Sequence, residues 1–191
     1  MTPTELLAAL HTAEKLKDTT RHCYTSGGRH ESVAEHSWRI ALMAFFLRDA
    51  FPEADMDKVA RMCLIHDLGE CFTGDIPAFD KTAQDESREE QLLDRWVSSL
   101  PSPCCEEMRM LYSEMAALKT QEAKIYKALD KLEAVISHNE SDISTWEDHE
   151  YDLQLTYGEQ NVAFSPYLTA LRQAVQQESL DKIAREGDRR K

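Results

Sequence analysis

Residues 60–70 read ARMCLIHDLGE, and the His66-Asp67 pair inside this run is the point from which both fold and chemistry can be read. Val59, Met62, Cys63 and His66 follow the i, i+3, i+4, i+7 spacing of one helix face, so the imidazole ends a core-facing stripe. An unpartnered polar ring is costly in such a place. The dipeptide alone carries little weight, because Asp148-His149 is the same pair reversed in a polar stretch. The apolar setting of His66 separates the two.

His36 has a similar setting in ESVAEHSWRIAL. Ser32 and Glu35 stand at capping-box spacing, which starts a helix there and puts His36 in its first turns. Ile40, Met43, Ala44 and Leu47 continue down its face, so this imidazole also points inward. One inward histidine is ordinarily a hydrogen-bonded core residue. Two of them with Asp67 attached point to a divalent metal ion. A further ligand must come from elsewhere, and the helix over 120–140 offers Asp130 beside the stripe of Ala123, Tyr126, Leu129, Leu132 and Ile136. The residues themselves leave open whether Asp130 is solvated or bound.

Helical periodicity extends over about 3–17, 32–50, 56–69, 85–100, 103–117, 120–140 and 165–177, with a tail from 178, and no strand alternation is visible. The expectation is an all-α, single-domain helical bundle over 1–191, with C-terminal helices over 165–187. The segment CFTGDIPAFD, following the metal pair, should break the helix between Gly69 and Pro77. SHNESDISTW, 137–146, reads as a polar surface loop, with a fold over the pocket mouth as the alternative. Leu92, Leu93, Trp96 and Leu100, and Leu168, Leu171 and Val175, read as core stripes.

Composition narrows the function. The net charge of −13 repels a phosphate backbone and no basic stripe with interleaved aromatics is present, so extended nucleic acid is excluded as a partner. A small phosphorylated substrate remains compatible, since one ion and one or two arginines neutralise it locally. The opening MTPTELLAALHTAEKLKD is an amphipathic helix without a long apolar run, so neither a signal peptide nor a membrane span is expected. Cys23, Cys63, Cys71, Cys104 and Cys105 are odd in number and show no C-x-x-C spacing, which suits a reducing cytoplasm better than a disulfide framework.

The segments ESVAEHSWRIALMA, LIHDLGECFTGDIP and AKIYKALDKLEAVI, spanning roughly 31–137, with LKDTTRH upstream, resemble the HD-domain metal-dependent phosphohydrolases. The nearest branch is that of the bacterial 5'-deoxynucleotidases and the HD-domain-containing protein 2 group. Its narrower signature, H-D-x-x-E followed by x-x-T-G-D, is matched by Glu70, Thr73, Gly74 and Asp75. The resemblance implies an HD-domain bundle, a homodimer and one divalent ion on His36, His66, Asp67 and Asp130. Manganese, cobalt, iron, nickel and zinc all suit two nitrogens and two oxygens, and magnesium is compatible.

The chemistry so implied is hydrolysis of a phosphomonoester, most closely a nucleoside 5'-monophosphate, with Glu70 orienting water or relaying a proton and Asp75 holding the sugar hydroxyl. Arg21, fifteen positions before His36, corresponds to the family's phosphate-binding arginine. His22 stands where the family has a sugar-discriminating tryptophan, which puts substrate choice in doubt. Arg29 and His30 are expected near the same entrance. A guanosine-polyphosphate hydrolase is disfavoured because the Glu-Asp pair of those enzymes is missing from HDLGECFTGD, and a two-iron oxygenase because no histidine lies between His66 and His138. A non-catalytic, metal-stabilised regulatory module would need the ligands but not Glu70.

Overall fold

The computed structural model describes residues 1–77 and 79–186. The chain runs through α1 (Pro3–Ala13), β1 (Thr20–Tyr24), β2 (His30–Ser32), α2 (Val33–Phe46), α3 (Met56–Ile65), α4 (Glu70–Thr73) and α5 (Ala83–Ser98). It continues through α6 (Cys104–Ala117), α7 (Gln121–Glu140), α8 (Glu150–Thr156), α9 (Glu159–Val162) and α10 (Pro166–Glu186), with short 3-10 turns at Glu14–Lys17, Arg48–Ala50 and Ile143–Thr145. Side chains satisfy the open amides at the helix starts: Thr2 with Glu5, Ser32 with Glu35 and Thr82 with Asp85 are reciprocal capping boxes.

The bundle is arranged around α7, which buries Ile125, Ala128, Leu129, Leu132 and Val135 against α2, α3, α6, α9 and α10. Ile40 and Ala44 from α2, Val59, Met62 and Cys63 from α3, and Leu168 and Val175 from α10 complete this core. Leu129 is fully buried, and Leu129→Ala would remove about 2–5 kcal/mol. A second cluster, Leu16, Val33, Leu68, Cys71, Val97 and Met108, seats α5 and α6. The N-terminal half of α2, the end of α3 and the middle of α7 thereby converge on one point.

The structure departs from the sequence expectation in several places. β1 and β2 form an antiparallel hairpin, with Thr20 opposite Ser32 and Tyr24 opposite His30, where no strand was expected. Three to five residues are too few to show alternation, and their pairing is set by the tight turn at Gly28, whose φ of 81° is open to glycine. Helix α3 stops at Ile65 rather than 69, because Leu68 N, Glu70 N, Cys71 N and Phe72 N donate to carbonyls three residues back instead of four. The helix break therefore falls at 66–69, Cys71 to Thr73 are helical in α4, and the chain leaves at Gly74, φ 77°. Ala78 of this segment lies outside the described residues.

The stretch 137–146 is not a surface loop. Ser137 and Ser141 are buried, and Trp146 is 1 % exposed with its Nε1–H donating to His138 O at 3.0 Å. A single indole plugging the end of α7 outweighs the polar string around it. Among the stripes, Val97 is the fully buried residue of α5, while Leu92, Leu93, Trp96 and Leu100 are only partly covered. Residues 178–186 continue α10 without a break, and residues 187–191 lie outside the described residues. The apolar face of α1 is uncovered, with Leu6, Leu7 and Leu10 exposed.

Candidate metal centre and substrate pocket

His36 enters from the first turn of α2, His66 and Asp67 from the turn that follows α3, and Asp130 from the middle of α7. His36 Nε2 lies 3.4 Å from Asp130 Oδ1 and 3.9 Å from Asp67 Oδ2. His66 Nε2 lies 2.8 Å from Asp67 Oδ2 and 3.9 Å from Asp130 Oδ1. Both Nε2 atoms are buried without a hydrogen-bond partner. Buried imidazole nitrogens are ordinarily satisfied, so two of them facing two carboxylates fit an ion at this point. The donor set of two nitrogens and two oxygens suits a divalent transition metal, and magnesium less well.

Each imidazole is oriented from behind. His66 Nδ1 sits 2.9 Å from Cys63 O and donates to it, while His36 Nδ1 lies 2.5 Å from Glu133 Oε2. These bonds leave each Nε2 lone pair aimed at the centre. Asp130 is not solvated: it is 8 % exposed, and its Oδ2 takes Lys127 Nζ at 2.9 Å and Lys131 Nζ at 3.5 Å. Burial would raise its carboxyl, but Lys127, Lys131 and His36 hold it well below the usual range. Asp67 is likewise held at about 2, its burial outweighed by His66 and then His36. Burial and Arg21 would lower His36, yet Asp130 and Glu133 push it up to about 9. Positive charge is thus favoured at the centre.

Asp67 and Asp130 open into a cavity of about 290 Å³ whose wall includes Arg21, His22, Glu70, Asp75, Lys81, Lys127 and Lys131. Four cations around one cleft stand out in a chain of net charge −13. Arg21, on β1, is not a solvated basic residue: Nη1 donates to Glu31 at 2.8 Å and to Glu133 at 3.2 Å. Glu70 is 6 % exposed and its Oε2 has no hydrogen-bond partner. Burial, then the charges of Asp67, Asp75 and Glu89, push its carboxyl up to about 10. Burial also raises Asp75. Arg29 and His30 are not in this wall: Arg29 pairs with Glu35 on the exposed side, and His30 stacks on Tyr24 at 4.0 Å.

Several residues of the site were not singled out in the sequence. Glu133 is fully buried and links His36, Arg21 and, at 3.7 Å, Arg39. Its position three residues after Asp130 and four after Leu129, on the inward face of the helix, was the available signal. Lys81, Lys127, His138 and Glu150 also line the cleft. Of these, His138 and Glu150 lie in the stretch read as surface loop or beyond it.

Residues 13–172 match the family model described as HD domain. Human 5'-deoxynucleotidase HDDC2 is 32% identical over 139 residues, covering 71% of this chain and 67% of that protein. The 5'-deoxynucleotidase YBR242W of Saccharomyces cerevisiae is 27% identical over 150 residues, covering 70% and 59%. Among solved structures, a predicted metal-dependent phosphohydrolase from Magnetospirillum magnetotacticum MS-1 superposes with a TM-score of 0.79 at 31% identity, covering 94% of this chain and 93% of that one. With His36, His66, Asp67 and Asp130 drawn together at one point and residues 13–172 matching its model, the chain belongs to the HD domain family.

Proposed function

We propose that the chain is a metal-dependent 5'-nucleotidase that hydrolyses (deoxy)ribonucleoside 5'-monophosphates. The observation that carries this reading is the pair of partnerless imidazole nitrogens beside two carboxylates, opening onto a cleft walled by Arg21, Lys81, Lys127 and Lys131. Its relatives' activity as 5'-deoxynucleotidases supports the substrate class. His36, His66, Asp67 and Asp130 would hold the ion, which when bound would polarise the phosphoryl group and lower the pKa of a water. Manganese, cobalt, iron, nickel, zinc and magnesium are the candidates.

Arg21 binds the phosphate. A guanidinium carries five N–H donors, and the carboxylates of Glu31 and Glu133 take Nη1 and fix its plane. Glu70, a buried carboxyl that burial and the neighbouring Asp67 and Asp75 push up, is suited to give a proton to the leaving 5'-oxygen. Asp75 and His22, both in the wall, face the sugar. The proposal also takes 1–191 as one domain, supported by a core running from Ile40 to Val175. It includes a homodimer, supported by exposed Trp38, Phe45 and Phe46 on α2. A cytoplasmic location is supported by the free cysteines. Among the described residues, no helix is long and apolar enough to cross a membrane.

The test is phosphate release from a panel of nucleoside 5'-monophosphates and other small phosphomonoesters with manganese, cobalt or zinc, and with EDTA. Metal-dependent release favouring the nucleotides is expected. Release that survives EDTA, or none from any nucleotide with any of the metals, would refute the reading.

A further inference from the structure

Across the cleft from the metal centre, His22 of β1, His138 of α7 and Glu150 of α8 bring three ligand atoms within 4.8 Å of one another. Glu150 Oε1 lies 3.1 Å from His22 Nε2 and 2.7 Å from His138 Nε2. His22 Nε2 is buried and, although close to Glu150, has no hydrogen bond, a mark it shares with His36 Nε2 and His66 Nε2 of the primary centre. The spacing is also comparable, since His66 Nε2 and Asp67 Oδ2 are 2.8 Å apart. Tetrahedral ligation at about 2.0–2.1 Å separates neighbouring ligand atoms by about 3.4 Å, so an ion here requires only small side-chain shifts.

The ligands are oriented from behind, as in the primary centre. His138 Nδ1 lies 3.2 Å from Ala134 O and 3.1 Å from Cys23 Sγ, which turns Nε2 toward Glu150. Glu150 Oε2 accepts from Glu147 N at 2.7 Å, which leaves Oε1 for the imidazoles. The His22 ring stands edge to face with Phe79 at 5.7 Å. All three residues line the cleft. The neighbouring trio Glu31, His36 and Glu133 differs, because Arg21 Nη1 already bridges its two carboxylates.

We propose that His22, His138 and Glu150 form a second metal site, holding a borderline divalent cation of the zinc type through two imidazole nitrogens and one carboxylate, with its remaining position open to the cleft. Two histidines and one glutamate are a ligand set that zinc accepts with a position left free for water or substrate. The competing occupant is a proton on His138. Burial would lower that imidazole, but Cys23 and Glu150 push it up to about 10, and zinc displaces this proton on binding.

Stoichiometry tests the proposal without reference to activity. EDTA-stripped full-length protein is dialysed to equilibrium against buffered free zinc, and bound metal is measured by elemental analysis. The parent should saturate at two zinc ions per chain, His22→Ala at one, Asp67→Ala at one, and the double variant at none. His22 is partly exposed, so its truncation leaves the buried His138–Glu150 pair and the fold intact. Cobalt titration gives a second readout, because the visible bands of the second equivalent should be missing in His22→Ala. A parent that saturates at one ion, or a second equivalent that survives His22→Ala, would overturn the assignment and leave the trio as a proton-bridged ion pair.

Discussion

Replacing Glu133 by Gln should weaken metal binding at the primary centre although Glu133 is no ligand. Its carboxylate is fully buried and lies 2.5 Å from His36 Nδ1 and 3.2 Å from Arg21 Nη1. Glutamine keeps the shape and an acceptor oxygen but removes the charge that fixes the His36 tautomer and makes Nε2 a stronger ligand. Loss of such a partner weakens metal affinity by about 10- to 100-fold, or about 1.4–2.7 kcal/mol. With free metal at 1,000 times the parent's Kd, binding stabilises the fold by about 4.1 kcal/mol, and the variant should lose about 1.4–2.7 kcal/mol of that. Chelator-competition titration measures the affinity, and thermal melts with and without metal measure the linkage. The metal-dependent rise in Tm should shrink in the variant. An unchanged affinity in a folded Glu133→Gln protein would show that His36 is positioned by the backbone of α2 alone.

Asp67→Ala should lose the primary ion and its stabilisation, and full retention of that ion by elemental analysis would contradict the ligand assignment. Glu70→Ala should keep the metal and fold while losing about 10²-fold or more in turnover, read as phosphate release. In metal-free protein, Glu70 has a folded pKa of about 10 against an ordinary 4.5. The folded state therefore binds the extra proton between these values, and stability falls as pH rises through that window. Glu70→Gln should accordingly raise Tm by a margin that widens from pH 5 to pH 8. Arg21→Ala should lower kcat/KM by roughly 30- to 1,000-fold, about 2–4 kcal/mol, and also lower Tm because Glu31 and Glu133 are left facing each other. His22→Trp should sharpen the preference for dAMP over AMP, and an unchanged kcat/KM ratio would remove His22 from the sugar subsite.

Local rules were enough to read the long helices and to turn two of the candidate ligands inward. The stripe of Val59, Met62 and Cys63 turns His66 inward, and the Ser32–Glu35 box places His36, because periodicity and capping act over three to seven residues and are written in the string. The order His36, His66, Asp67 and Asp130 was legible only through the resemblance to the family, since local rules left Asp130 open. What spans the chain was not. Glu133 meets His36 across 97 residues and Arg21 across 112, and Glu150 meets His22 only because α8 folds back over β1. Short strands pair through backbone groups that every residue carries, so the β1–β2 hairpin leaves no side-chain period to detect. The turn after α3, which brings Asp67 and a buried Glu70 to the same cleft, depends on the packing of Leu68 and Cys71 against Leu16, Val33 and Val97. Sequence determined which residues could hold a metal; tertiary packing decided which carboxylates stand behind them, because burial and charge pairing exist only once distant segments share a low-dielectric interior.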